Sequence, residues 1–171
     1  MTGRTHGRAV CSSGSDLWDR FEMMFGQQDY DGLVSLFAAD AVYVEPGGRH
    51  EGSESIRAWL DDCGHAFSDV RYEVSLVIEH NDVIVAETVY QSTHTGPLRM
   101  PDGSVIPATG KTMDTPGVTI LRVKDGKIIA ARDYLDFLAG MIQLGLLPSP
   151  NHELYSMPWV LRDGITSACT T

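Results

Sequence analysis

The chain has 171 residues, 43% hydrophobic and 21% charged, enough for one domain with a real core. Thirteen Lys and Arg against 23 Asp and Glu give a formal net charge of −10, which argues against a nucleic-acid or anionic-membrane surface, since both need basic patches. Cys11, Cys63 and Cys169 are odd in number and widely spaced, with no Cys-x-x-Cys pair; they argue against a disulfide framework or a zinc site and point to a reduced, cytosolic protein.

Residues 1–15 carry basic, Gly and Ser residues with no apolar stretch behind them, so they read as a flexible lead rather than a signal peptide or membrane anchor. A domain is expected over residues 16–148, followed by a C-terminal extension, residues 149–171, with apolar anchors such as Leu154, Tyr155 and Trp159. Asp16 is placed to cap a first helix, with Trp18, Phe21, Met24 and Phe25 on its buried face and Gly26 at its end. A second helix is expected over residues 30–38, with Leu33, Leu36 and Phe37 inward, then a short strand AVYVE (41–45) that Pro46-Gly47-Gly48 stops. Residues 53–63 read as a third helix, with Ser53 as N-cap and Ile56, Trp59 and Leu60 on one face.

From there the pattern is β. Strands are expected at 71–80, 83–95, 111–123 and 127–137, with tight turns at Asn81-Asp82 and Lys124-Asp125-Gly126 joining them as antiparallel hairpins. Between Gly96 and Gly110 lies a longer loop or an extended hairpin tip, and residues 139–147 form a short helix ahead of Pro148. Helices followed by a long antiparallel sheet give an α+β class. A curved sheet wrapped around helices encloses a cone, a natural small-molecule pocket.

The chemistry is sought where polar residues share a face with apolar ones. On the last strand, KIIAARDYLDF, period two puts Ile129, Ala131, Asp133 and Leu135 together. A carboxylate there is either an acid/base group raised toward neutral pKa by its neighbours, or a rim residue paired with Arg132 or Arg122. Tyr43 and Glu45 share a face of the early strand; Glu45 is read as a second acid/base group or as a solvated strand end. Thr88, Tyr90, Ser92 and His94 share a face of the middle strand. Tyr90 and His94 could donate to an enolate oxygen, against core packing for Tyr90 and loop shaping for His94. Trp59, with Tyr43, Thr88, Ser92, Asp114 and Asp136, completes the candidate substrate-binding set, and Asp136 also stands at a helix-capping position. His6, His50, His65, His80 and His152 are scattered without ligand spacing, and no Gly-rich phosphate loop follows a strand, so neither a metal nor another cofactor is expected.

Taken together, AADAVYVEPGGRHEGSESIRAWL, THTGPL, PATGKTMDTPGVTILRVKDGKI and DFLAGMIQLGLLP resemble the SnoaL-like polyketide cyclases of the nuclear transport factor 2-like group. The likeness runs from Leu17 to Pro148. It implies a cone-shaped fold, a homodimer, and a cofactor-free enzyme closing a ring in a polyketide by an intramolecular aldol reaction, with an aspartate near the last strand as acid/base. Asp133 and Asp136 compete for that role; Asp133 is preferred because Asp136 has a capping job available. Ala39-Asp40-Ala41 to Glu45-Pro46 is similar to the stretch of ketosteroid isomerase bearing its general base, which falls on Glu45, while its oxyanion-donor positions hold Phe21 and Thr119. Arg132-Asp133-Tyr134 resembles the end of limonene epoxide hydrolase, whose other two catalytic positions hold Thr88 and Tyr90. The readings carried forward are a cyclase or isomerase acting on an apolar, oxygenated small molecule, an epoxide-opening enzyme, and a non-catalytic binding or assembly module. Val85, Val89 and Val123 are candidates for a dimer-forming outer sheet face.

Overall fold

The computed structural model describes residues 9–10, 16–100 and 102–148; the C-terminal extension and most of the lead lie outside them. Within the lead, Ala9–Val10 forms a two-residue strand, β1. Three helices follow with one interruption: α1 (Asp16–Gly26), α2 (Tyr30–Ser35) and, after a hairpin, α3 (Gly52–Ala66). The hairpin consists of β2 (Phe37–Glu45) and β3 (Gly48–Glu51). Long strands β4 (Phe67–His80), β5 (Val83–His94), β8 (Thr112–Lys124) and β9 (Lys127–Leu135) form the rest of the main sheet. Short β6 (Leu98–Arg99) and β7 (Val105–Ile106) pair separately as a hairpin tip, and α4 (Phe137–Gln143) closes the described chain.

The seven-stranded sheet has the order β1-β4-β5-β8-β9-β2-β3. The β4-β5-β8-β9 meander is antiparallel, as its two-residue turns predict. The sheet as a whole is mixed, because β2 pairs parallel to β9 and β1 parallel to β4. That corrects the expectation of a purely antiparallel sheet. Periodicity within one strand is blind to which distant strand it will meet.

Other boundaries shift for local reasons. The second helix stops at Ser35, and Phe37 already belongs to β2. Pro46-Gly47 does not end the strand pattern but turns it into β3, pairing Tyr43 with His50 and Glu45 with Gly48. The third helix starts at Gly52 with Glu51 at the N-cap position, which makes no side-chain capping bond, so Ser53 is not its cap. Asp136 does cap α4, its Oδ1 accepting from the Ala139 backbone N–H at 3.0 Å.

The concave face of the sheet holds the helices. Trp18, Phe21, Leu33, Leu36, Ile56 and Leu60 pack there against Phe37, Tyr43, Ile84, Ala86, Leu121, Ile128 and Ala131. Trp18 and Phe21 stack with ring centroids 5.4 Å apart, and Phe25 reaches Tyr72 at 4.9 Å. Alternation along β5 buries Ile84, Ala86, Thr88, Ser92 and His94 and leaves Val85 and Val89 on the opposite face. Val123, expected on that outer face, instead packs on the core.

Candidate functional site

Asp133 is built into the wall by strand register. On β9, Arg122 of β8 pairs with Ala130 but Val123 pairs with Ile128, so Ile129 is left over as a bulge. The bulge turns Ile129 outward, where it is 36% exposed, while Ile128 and Ala131 are buried. Asp133 therefore does face inward, but it shares that face with Ala131 and Leu135, not with Ile129. Its direct cross-strand neighbour is Thr119 of β8, and the parallel pairing of β2 places Tyr43 beside Ala131.

Both neighbours donate to the carboxylate. Tyr43 Oη donates to Oδ2 at 2.5 Å, and Thr119 Oγ1 donates to Oδ1 at 2.7 Å. Thr119 Oγ1 lies 2.9 Å from the Tyr72 hydroxyl. A hydroxyl has a single proton, and Thr119 has given its own to Asp133, so Tyr72 is the donor in that pair. The result is a chain, Tyr72 to Thr119 to Asp133, closed on the other side by Tyr43. Arg122 and Arg132 are exposed, while both oxygens of Asp133 are taken by Tyr43 and Thr119, so the rim-paired alternative does not hold.

Burial dominates the electrostatics. Desolvation lifts the Asp133 carboxyl from 3.8 to about 6; the Tyr43 and Thr119 hydrogen bonds pull it back, and the nearby Glu45 charge adds to the rise. Asp133 still keeps some accessible surface, because it faces an internal cavity rather than packed side chains. Desolvation also pushes the phenols of Tyr43, Tyr72 and Tyr90 upward, so they stay protonated and can only donate or accept as neutral hydroxyls.

The cavity measures about 530 Å³, within the range of small-molecule sites. Its apolar wall includes Phe25, Trp59, Leu60, Phe67, Val70, Leu98, Met113, Leu135, Met141 and Leu144. Its polar lining includes Asp133, Tyr72, Tyr90, Thr115, Tyr30, Glu45 and His50, with Ser55, Asp62, Cys63 and Arg99. Burial, with Glu45, Asp62 and Asp133 nearby, pushes the Cys63 thiol up to about 12, which leaves it protonated and a poor nucleophile. Among the described residues no three His, Cys, Asp or Glu side chains are grouped as a metal site, and no helix is long and apolar enough to cross a membrane.

The candidates from the sequence fall into two groups. Asp133, Glu45, Tyr90 and Trp59 line the cavity, and Tyr43 stands directly behind Asp133. The remaining five do not line it. His94 is fully buried, and its Nδ1 accepts from the Thr109 backbone N–H at 3.3 Å, so it ties down the loop that follows β5. Thr88 and Ser92 are buried on the same strand, with Thr88 donating to the Gly117 carbonyl at 3.4 Å. Asp114 is exposed and bonded by Gln91, and its backbone N–H and carbonyl are held by Gln143. Asp136 caps α4. Facing inward was a sound criterion, but a cone narrows, and inward residues away from the open space become packing. Tyr72 and His50 are cavity residues that the sequence reading passed over. For Tyr72 the alternation of β4 held a usable signal, since Tyr72 and Val74 share a face; for His50 the unexpected strand β3 hid it.

The chain matches the SnoaL-like domain family over residues 18–131. Solved structures match too. A candidate SnoaL-like polyketide cyclase from Jannaschia sp. CCS1 superposes with a TM-score of 0.68 at 21% identity, covering 78% of this chain and 92% of that one. IdmH, a candidate polyketide cyclase from Streptomyces antibioticus, gives 0.64 at 23% identity, covering 78% and 99%. A protein with a ketosteroid isomerase-like fold from Catenulispora acidiphila, solved with trimethylamine, gives 0.65 at 21%, covering 77% and 93%. At these identities the structural likeness establishes the shared cone fold. No curated protein matches. The chain belongs to the SnoaL-like family.

Proposed function

We propose that this SnoaL-like protein is an acid/base enzyme that removes a proton alpha to a carbonyl in an apolar, oxygenated small molecule and uses the enolate for ring closure. The observation that carries this reading is one carboxylate, Asp133, placed on the wall of an aromatic and aliphatic cavity with both oxygens held by hydroxyls.

The chemistry follows from that placement. A carboxyl whose pKa is about 6 is mostly ionised at neutral pH yet a stronger base than an ordinary aspartate. Tyr43 and Thr119 fix its rotamer and leave lone pairs on both oxygens for an incoming C–H. The enolate that forms needs a donor, and the neutral phenol of Tyr90 on the cavity wall can serve. The enolate carbon then attacks a second carbonyl of the same chain, folded into the cavity by its apolar lining. Nothing in this sequence of steps needs a redox cofactor or a metal.

The direct test is solvent deuterium exchange into a simple probe. We suggest a linear diketone with a phenyl ketone at one end and a methyl ketone at the other, the carbonyls separated by three methylene groups; enolised at the methyl, it can close on the phenyl ketone to a six-membered ring. Wild-type protein should speed exchange and ring closure. Asp133→Asn should lower both by roughly 100- to 10,000-fold, the usual worth of a positioned base. Exchange at the wild-type rate in Asp133→Asn would remove Asp133 from the mechanism.

A further inference from the structure

The cavity holds a second ionisable pair that the Asp133 chemistry leaves unused. Glu45, at the end of β2, and His50, on β3, meet because the hairpin folds back over Pro46-Gly47. His50 Nε2 lies 3.2 Å from Glu45 Oε1. Both side chains are largely withdrawn from solvent, at 19% and 13% exposure, and both line the cavity.

Two devices hold the pair. The Gly47 backbone N–H donates to Glu45 Oε2 at 2.6 Å, so each oxygen of the carboxylate has its own partner. A Cβ on Gly47 would stand 3.0 and 3.1 Å from those same oxygens, close enough to push the bent-back carboxylate by a few tenths of an ångström. The imidazole lies nearly flat on Trp59, with centroids 5.1 Å apart and an interplanar angle of 21°. Trp59 in turn packs on Tyr43 at 4.6 Å, the residue that donates to Asp133. The two acid/base groups are thus linked through one aromatic wall.

Because Glu45 accepts from Nε2, the proton on that nitrogen is committed. Nδ1 has no hydrogen-bond partner among the described residues and is not one of the sealed polar atoms. A carboxylate behind one nitrogen of an imidazole orients the ring and directs proton exchange to the other.

We infer that His50 is a second catalytic residue of this cavity, delivering a proton from Nδ1 to the alkoxide created by ring closure, with Glu45 as its positioning residue. This rests on the reading of Asp133 as the base. The balance is complete without a co-reactant. Asp133 takes the proton from carbon; the enolate carbon forms the new C–C bond; the attacked carbonyl becomes an alkoxide; the alkoxide takes the proton that His50 carries on Nδ1. Both residues then return to their starting states by exchange with water. Two groups in different surroundings divide the two proton transfers.

The same diketone probe separates the steps. An alkoxide that is not protonated reverts to the enolate, which is requenched on carbon by solvent deuterium. His50→Gln should therefore lower ring closure by roughly 100-fold and raise the ratio of deuterium incorporated to ring formed. Glu45→Gln should move that ratio the same way through kcat, with KM little changed, and Glu45→Asp should recover part of the loss. An unmoved ratio in both His50→Gln and Glu45→Gln overturns the assignment of His50 while leaving Asp133 in place. Exchange that survives Asp133→Asn overturns the parent reading instead. A further measurement needs no substrate: nitrogen-15 shifts of the neutral His50 ring should report the Nε2–H tautomer and drift toward a mixture in Glu45→Gln. An Nδ1–H tautomer in the wild type would show that Glu45 does not accept from Nε2 and would overturn its assignment as the positioning residue.

Discussion

Replacing Asp133 by Asn should make the protein more stable at high pH, and by an amount the structure sets. Folding moves this carboxyl from 3.8 to about 6, so the native state holds its proton more tightly than the unfolded chain. The sign follows: a raised carboxyl contributes its full share to stability below pH 4, and that share is lost as pH rises through about 6. At about 1.4 kcal/mol per tenfold, the rise corresponds to roughly 3 kcal/mol lost between those limits. Asn removes the charge and keeps the shape. It cannot accept at both oxygens, however, so one of the Tyr43 and Thr119 hydroxyls must turn away, at about 1 kcal/mol. The net expectation is about 2 kcal/mol of stabilisation at pH 8 and none, or a small loss, at pH 4. Urea unfolding of wild type and Asp133→Asn at several pH values measures the difference and cancels every other titrating group. A gap that is the same at all pH values, or that favours the wild type as pH rises, would show that the carboxylate is not desolvated and would undercut its role as a strengthened base.

The same value predicts an acid limb in turnover: activity on the diketone probe should fall as pH drops through about 6, where Asp133 takes a proton, and a flat profile from pH 5 to 8 would contradict it. Thr119→Val deletes a hydrogen bond that holds the carboxyl down, so the acid limb should move to higher pH, with a stability loss of about 1 kcal/mol on urea unfolding. Gly96→Ala should be severely destabilising, because a Cβ there would lie 1.8 Å from the His65 carbonyl oxygen and the backbone must shift, an overpacking cost of about 1–3 kcal/mol or more; a melting temperature within a degree of wild type would show that the loop relaxes freely.

How much of this was legible beforehand depends on the range of the interaction. Asp136 as a helix cap, the two short hairpin turns and the burial of Trp18, Phe21, Leu33 and Ile56 were all readable, because caps, turns and amphipathic faces are decided within a few neighbouring residues. Asp133 was picked out because a strict alternation puts it on one face with Ile129, Ala131 and Leu135. Its inward placing holds although one of the supports does not, since the bulge at Ile129 adds a residue that a strict period of two cannot show. His94, Thr88 and Ser92 share the opposite lesson. A face can be read from sequence, but the depth of a cavity along that face cannot.

The amino-acid sequence by itself determined the α+β order, the antiparallel meander, the acidic surface and the inward placing of Asp133, each a consequence of local periodicity or composition. Only the tertiary structure decided what Asp133 touches. Its partner Tyr43 stands 90 residues away, delivered by the parallel pairing of β2 on β9, and Thr119 arrives through the β8–β9 register. His50 reaches Glu45 only because Pro46-Gly47 opens a new strand instead of ending one. Register between distant strands is set by the summed packing of both faces of the sheet, and no single segment carries that sum.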